Sequence, residues 1–171
     1  MSYDLTLRTA RGTILSPIAG RELLDAFRRE TGLDGPCEIT AFELEPSALD
    51  ANCVEAGFES GEFSRGEFTS FCNERDLRPD LDKEHFSVAA QQFLAARDGQ
   101  ELMSIALPPA KLVQAVRDAY RLVVDFARRH DLVLDDPQIG QNIDTQNPGE
   151  FPPMWKSAPT TLPPKRRWFS W

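Results

Sequence analysis

The strongest hydrophobic pattern in the chain lies between Pro108 and Gln138. Apolar residues recur there at steps of three and four, which indicates one buried face of a helix; they are Leu112, Val113, Val116, Ala119, Tyr120, Val123, Phe126 and Ala127. An apolar run from Leu132 to Leu134 follows, and Asp135-Asp136-Pro137 stops it. The pattern predicts an amphipathic helix followed by a buried strand, but it identifies no reaction.

The N-terminal part of the chain predicts a strand, a helix and a second strand. Polar and apolar residues first alternate, which is typical of a short half-buried strand; the apolar ones are Tyr3, Leu5 and Leu7. Ser16-Pro17 is a common helix start, and Gly32 is well placed to end that helix. Residues from Ile39 to Phe42 favour a second strand, although this run is also compatible with a helix.

The regular pattern is lost between Pro46 and Arg78. Residues from Ser47 to Ala56 favour a short helix that ends at Gly57, and beyond it phenylalanines stand among glycine, serine and glutamate. We interpret this part as a long connection, punctuated by glycine, whose phenylalanines pack onto the core. The alternative is an acidic, aromatic recognition loop, since loops often carry function.

The segment before the central helix predicts a helix and then a strand. Ser87 to Arg97 is rich in alanine, which favours helix, although Asp98-Gly99 is also a hairpin signal. Leu102 to Leu107 reads as a strand. If this strand neighboured the one at Leu132–Leu134, the two would pair in parallel through a right-handed crossover.

These elements predict a single α+β (or α/β) domain over residues 1–147, with a small mixed sheet packed against amphipathic helices. Residues 148–171 differ in composition, because six prolines and three tryptophans lie among them. Proline excludes a long helix or an inner strand here. We therefore expect an extended C-terminal arm that docks on its own domain or on a second copy, which would make a homodimer.

The charge of the chain limits its partners. The net charge of −8 argues against broad binding to nucleic acid or to anionic membranes, and it is compatible with a basic protein partner. The charge is uneven, because residues 148–171 carry +3 and the remaining chain −11. No signal-peptide core or membrane-length apolar run is evident, so we expect a cytoplasmic protein.

Candidate catalytic groups are few. Asp135 and Asp136 follow a buried strand, where metal-binding carboxylates often lie, but they equally suit a turn before Pro137. The two histidines, His85 and His130, have no motif partner in sequence. Three separated cysteines suggest buried free thiols rather than a disulfide framework; they are Cys37, Cys53 and Cys72. With no phosphate-loop, dinucleotide or hydrolase-elbow motif, we expect no cofactor and no metal site.

An acidic tract with interleaved phenylalanines is the best candidate partner surface. Its residues are Glu55, Phe58, Glu59, Glu62, Phe63, Glu67 and Phe68. Carboxylates there would attract a basic protein, while the phenylalanines would supply buried anchors. The alternative is a solvated acidic loop. The basic, aromatic end from Lys165 to Trp171 could suggest nucleic acid, but pairing with the protein's own acidic surface is more economical.

Both ends of the chain resemble a loose group of small, uncharacterised bacterial proteins. The similarity lies in Tyr3-Asp4-Leu5 at the start and in the run from Ala127 to Gln138, Ala-Arg-Arg-His-Asp-Leu-Val-Leu-Asp-Asp-Pro-Gln, at the end. The group often has an aromatic residue where this chain has Asp135. Some members look like immunity proteins that neutralise toxins of interbacterial competition, and the resemblance carries over no catalytic residue.

The sequence favours a non-enzymatic protein-binding protein, and the resemblance implies an immunity protein that neutralises a basic toxin. One alternative is a small metal-dependent hydrolase that uses Asp135 and Asp136. A second alternative is a structural or assembly protein that exchanges its C-terminal arm between subunits.

Overall fold

The computed structural model describes residues 3–108 and 113–149. The elements in chain order are β1 (Asp4–Thr9), α1 (Pro17–Thr31), β2 (Glu38–Ala41), α2 (Ala48–Ser60), α3 (Arg65–Glu74), α4 (Lys83–Asp98), β3 (Glu101–Ala106), α5 (Val113–Arg129), β4 (Leu132–Asp136) and β5 (Gln141–Ile143). The predicted α+β class is confirmed. Within the described ranges, no helix combines the length and the apolar character that crossing a bilayer requires.

Contacts divide the chain into two compact units. The first, called the sheet unit, comprises Met1–Thr9, Ile18–Glu43 and Glu101–Trp171; the second, called the helical unit, comprises Ala10–Pro17 and Leu44–Gln100. Most of the helical unit is therefore one segment that lies, in sequence, between β2 and β3, which are neighbouring strands of the sheet. The predicted arm falls almost wholly outside the described residues, which end at Gly149.

The sheet has five strands in the order β2-β3-β1-β4-β5. Every pairing between these strands is antiparallel, where a mixed sheet was expected. The reason is that β1 lies between β3 and β4, so these two strands run in the same direction without pairing. Each long crossover skips one strand, which is the β-α-β-β-α-β connectivity called ferredoxin-like, with β5 added at one edge.

The two faces of the sheet differ because side chains alternate along each strand. One face is largely apolar, and it includes the fully buried Leu5, Leu7, Ile105 and Leu134. Right-handed crossovers place α1 and α5 on the same face of the sheet. Their rings meet there, with Phe27 and Phe126 edge to face at 5.0 Å between centroids. The other face carries polar side chains.

The helical unit is built around phenylalanine. Buried Phe63, Phe68 and Phe93 form its centre together with Val54 and Cys72, and the aromatic rings meet edge to face at about 5 Å. The prediction of a long connection after residue 56 is wrong, because α2 continues to Ser60 and α3 follows. The phenylalanines do pack on a core, as that interpretation stated, but they do so from helices.

Gly57 does not end its helix, contrary to the sequence-based prediction. The helix ends at Gly61, whose φ of 75° is the left-handed conformation common at helix C-termini. Gly57 is buried inside α2, and a Cβ added there would lie 2.1 Å from Phe63 Cζ. Glycine is needed at position 57 so that the phenylalanine ring can approach the helix backbone.

The cysteines are free, as predicted, but they are not all buried. Cys37 and Cys72 are buried, whereas Cys53 is exposed on α2. Burial raises the pKa of the Cys37 thiol to about 11 and also raises the pKa of Cys72. These two thiols are therefore protonated at neutral pH and act as small apolar side chains.

Candidate functional site

The predicted partner surface is divided by the structure into an exposed acidic part and a buried aromatic part. The glutamates Glu55, Glu59, Glu62 and Glu67 are all exposed. Phe63 and Phe68 are buried and Phe58 is half-buried, because all three pack in the centre of the helical unit. These phenylalanines hold the helices together and present little surface to a partner.

Glu67 has a structural role of its own. The backbone N–H of Ser64 donates to its carboxylate at 2.6 Å, while its own N–H donates to Ser64 Oγ at 3.1 Å. This reciprocal pair is a capping box that starts α3. The backbone hydrogen bond, followed by the hydroxyl one, lowers the pKa of Glu67, so its charge is retained at neutral pH.

The other three exposed glutamates, Glu55 and Glu59 of α2 and Glu62 just after it, are named the acidic patch. Among the described residues none of the three takes part in an ion pair. Glu55 and Glu59 are four residues apart on α2, a spacing at which like charges repel. Glu59 also lies in the last helical turn, which contains no basic residue and where a negative charge opposes the helix dipole.

A second candidate region is the polar face of the sheet. One row of side chains crosses all five strands on this face, since strand register places them opposite one another; they are Thr40, Ser104, Thr6, Asp135 and Asn142. An open cleft of about 280 Å³ lies at the β4 side of the row. Most of the residues that line it are of polar type, and they include Arg8, Glu101 and Asp135.

Arg8 is the central charge of this cleft. Its Nε donates to Asp135 Oδ2 at 2.8 Å, and its Nη2 donates to Glu101 Oε1 at 3.1 Å. The side chains of Arg8 and Asp135 are only 24% and 20% exposed, whereas Glu101 is 51% exposed. The two carboxylates hold the guanidinium in one orientation, and they leave the cleft with excess negative charge.

Asp135 and Asp136 both line the cleft, but their side chains point to opposite faces of the sheet, because adjacent residues of a strand face opposite ways. Asp135 lies on the polar face, while Asp136 is 0% exposed on the apolar side. Asp136 accepts hydrogen bonds from the Tyr3 hydroxyl and from the backbone N–H of Gln138. Across residues 3–108 and 113–149, no group of three or more histidine, cysteine or acidic side chains converges as a metal site would require.

The buried carboxylate of Asp136 lies near a second tyrosine, Tyr120 of α5. Burial, and after it the charge of Asp136, raises the pKa of Tyr120 to about 12. Its hydroxyl donates to the carbonyl oxygen of Pro148 at 2.8 Å. This bond fixes the end of the described chain to α5.

We expect Tyr120 to ionise late in the folded protein. The difference in absorbance at 295 nm between the natural protein and Tyr120→Phe should show a midpoint near pH 12, against about 10 in denaturant. Because the folded pKa is raised, this group's contribution to stability is complete below pH 10 and is lost as the pH rises through 12. A native midpoint near 10 would contradict the burial of this hydroxyl.

Both histidines take part in local interactions near helix ends. His85 Nδ1 lies 2.8 Å from Asp82, the residue that caps the start of α4. His130 Nε2 lies 2.9 Å from Glu30 Oε2 and thereby links the end of α5 to the end of α1. Neither histidine adjoins a nucleophilic side chain in these contacts, so the geometry favours structural roles.

Of the residues that line the cleft, the sequence singled out Asp135 and Asp136 but neither Arg8 nor Glu101. Arg8 continues the alternation of Asp4 and Thr6 along β1, so the two-residue period of a strand predicts that it lies on the polar face. The sequence does not predict that Arg8 pairs with Asp135, which is 127 residues away. Comparison with protein-family models, with curated proteins and with solved structures finds no match to this chain.

Proposed function

We propose that this chain is a protein-binding protein whose acidic patch receives basic side chains of its partner. The observation that supports this proposal is the placement of Glu55 and Glu59. Each of these charges lies where it weakens the isolated helix, through repulsion at four residues' spacing and, for Glu59, through the helix dipole. A basic partner surface would relieve both effects on binding.

The helical unit suits such a role in its charge and in its rigidity. It contains 12 acidic residues against six Lys and Arg, so its field attracts a basic partner from a distance and speeds association. The phenylalanine cluster beneath the patch fixes the backbone of α2, which limits the entropy lost when the glutamates engage.

The more specific form of the proposal is an immunity protein that covers a basic site on a toxin. This form rests on the resemblance of the two chain ends to immunity-like bacterial proteins. Its partner would be one protein bound in a one-to-one complex, and the acidic patch would occupy the site with which that protein engages its own target.

The experiment is affinity capture from the native organism's lysate, followed by kinetics with the captured protein. We expect the natural chain to retain one stoichiometric basic protein. The triple variant Glu55→Gln, Glu59→Gln, Glu62→Gln should bind that protein at least about tenfold more weakly. Association should slow as salt rises, because exposed charges are screened.

The matched control is Glu22→Gln with Glu43→Gln, which removes exposed acidic side chains from the sheet unit. This control should bind as the natural chain does. The triple variant should be at least as stable to urea as the natural chain, since it removes unfavourable charges from α2. Equal loss of affinity in both variants, or association that is insensitive to salt, would refute the acidic patch as the binding surface.

A further inference from the structure

Among the described residues, the strand positions on the polar face of the sheet carry more carboxylates than cations. Strand register places Asp4 and Glu38 in one row of this face, and Asp135 and Glu101 around Arg8. The carboxylates at these described strand positions therefore outnumber the one arginine among them. The two crossover helices lie on the opposite face of the sheet, so neither of them covers these side chains.

The same chain contains a segment of complementary charge. Residues 150–171 lie outside the described residues, and their sequence ends in Lys165-Arg166-Arg167-Trp168-Phe169-Ser170-Trp171. The sheet unit is acidic up to Gly149, whereas this segment carries four basic residues against Glu150.

The segment is long enough to reach any point of that face. Fifteen residues lie between Gly149 and Lys165, and a fully extended chain over that separation spans up to roughly 50 Å. Five strands spaced by ~4.8 Å are only about 20 Å across. The Tyr120 bond to Pro148 O holds the starting point of the segment on the sheet unit, so the effective concentration of its basic end near the sheet is high.

We propose that the basic, aromatic end of the chain, Lys165 to Trp171, docks on the polar sheet face of its own molecule. Its cationic side chains pair with Asp135, Glu101 and Glu38, and one of its aromatic rings stacks on the guanidinium of Arg8. Arg8 suits a stacked ring because two carboxylates hold its guanidinium plane in place. The helical unit shows the same kind of contact, where Arg75 lies 3.9 Å from the ring centroid of Phe71.

The tryptophans make this proposal directly measurable. All three of them, Trp155, Trp168 and Trp171, lie in residues 150–171, so tryptophan fluorescence of the full chain reports on this segment alone. At low salt we expect a blue-shifted emission and weak quenching by acrylamide. Raising NaCl to 1 M should increase the quenching constant roughly twofold, because exposed ion pairs are screened.

Charge exchange identifies the surface involved. Lys165→Glu with Arg166→Glu and Arg167→Glu should release the segment at low salt, and so should Glu38→Lys with Glu101→Lys on the sheet. Combining the two sets should restore protection of the tryptophans. As the matched control, Glu22→Lys with Asp118→Lys on the opposite helices should leave quenching unchanged, and circular dichroism would verify that every variant is folded.

Three results would overturn the proposal. Tryptophans that are fully quenched in the natural chain at low salt would show that nothing is docked. Quenching unaffected by Glu38→Lys with Glu101→Lys would place the segment elsewhere. Protection that depends on protein concentration, together with a doubled mass in light scattering, would show that the segment lies on a second copy instead.

Discussion

Replacing Gly57 with alanine should destabilise the helical unit by about 3 kcal/mol, since overpacking a filled core forces side chains and backbone apart. The new methyl group would overlap the ring of Phe63, which lies 2.1 Å from the position of the added Cβ. Phe63 cannot move aside easily, because Phe58 and Phe93 pack nearly perpendicular to its ring and Arg97 lies over its face. Urea denaturation followed by circular dichroism would measure the loss.

The chain supplies its own control at Gly66. This glycine lies inside α3, and an added Cβ would meet only Ser64 Oγ at an ordinary 3.6 Å. Gly66→Ala should therefore stabilise the protein by roughly 0.5–1 kcal/mol through helix propensity. Replacing the ring with a smaller side chain, in Phe63→Leu, should recover part of the stability lost in Gly57→Ala. If Gly57→Ala proved as stable as the natural chain, the packing of Phe63 against α2 would be wrong.

Replacing Asp136 with alanine should cost about 2–3 kcal/mol, since it leaves buried donors without a partner. The Tyr3 hydroxyl and the N–H of Gln138 both donate to this carboxylate, which is fully buried. Asp135→Ala should cost ~1 kcal/mol or less, because it breaks a partly exposed ion pair and Arg8 retains Glu101. Two adjacent aspartates should thus give different results in the same urea experiment.

This pair of variants also bears on whether these aspartates bind a metal. If they shared a metal, either substitution should weaken divalent-cation binding measured by calorimetry, while the loss of stability would depend on the added metal. If Asp136 is a structural carboxylate, its substitution should destabilise the protein equally in the presence of Mg²⁺ or of EDTA. Equal stability of Asp136→Ala and Asp135→Ala would refute the buried hydrogen bonds to Asp136.

The acidic patch and the sheet face can be tested separately. The acidic patch is tested by capture of a basic partner. The sheet face is tested by fluorescence of the C-terminal tryptophans, without any partner. A segment that docks as proposed would keep the chain's own basic end on the sheet unit, away from free solution. Failure of either experiment therefore leaves the other proposal standing.

Local sequence determined much of the sheet unit. Alternation along β1 and three-and-four spacing along α5 predicted both elements, because each buries one continuous face. In the helical unit the same approach predicted the start of α2 and most of α4, but it took Gly57 as a helix end and missed α3. Ser64-Arg-Gly-Glu67 did carry a local signal for α3, since the serine and glutamate form a capping box three residues apart.

Tertiary structure alone decided the rest. Whether Gly57 ends a helix depends on where the ring of Phe63 lies, and whether Asp135 pairs with Arg8 depends on β1 lying beside β4. The two-residue alternation of a strand puts Asp135 and Asp136 on opposite faces of the sheet. Which of the two is buried depends on the order of the strands and on the face against which α5 packs. Local pattern determines which way a side chain points along its element, whereas packing between elements determines what it meets, whether the partners are six positions apart, as Gly57 and Phe63 are, or 127, as Arg8 and Asp135 are.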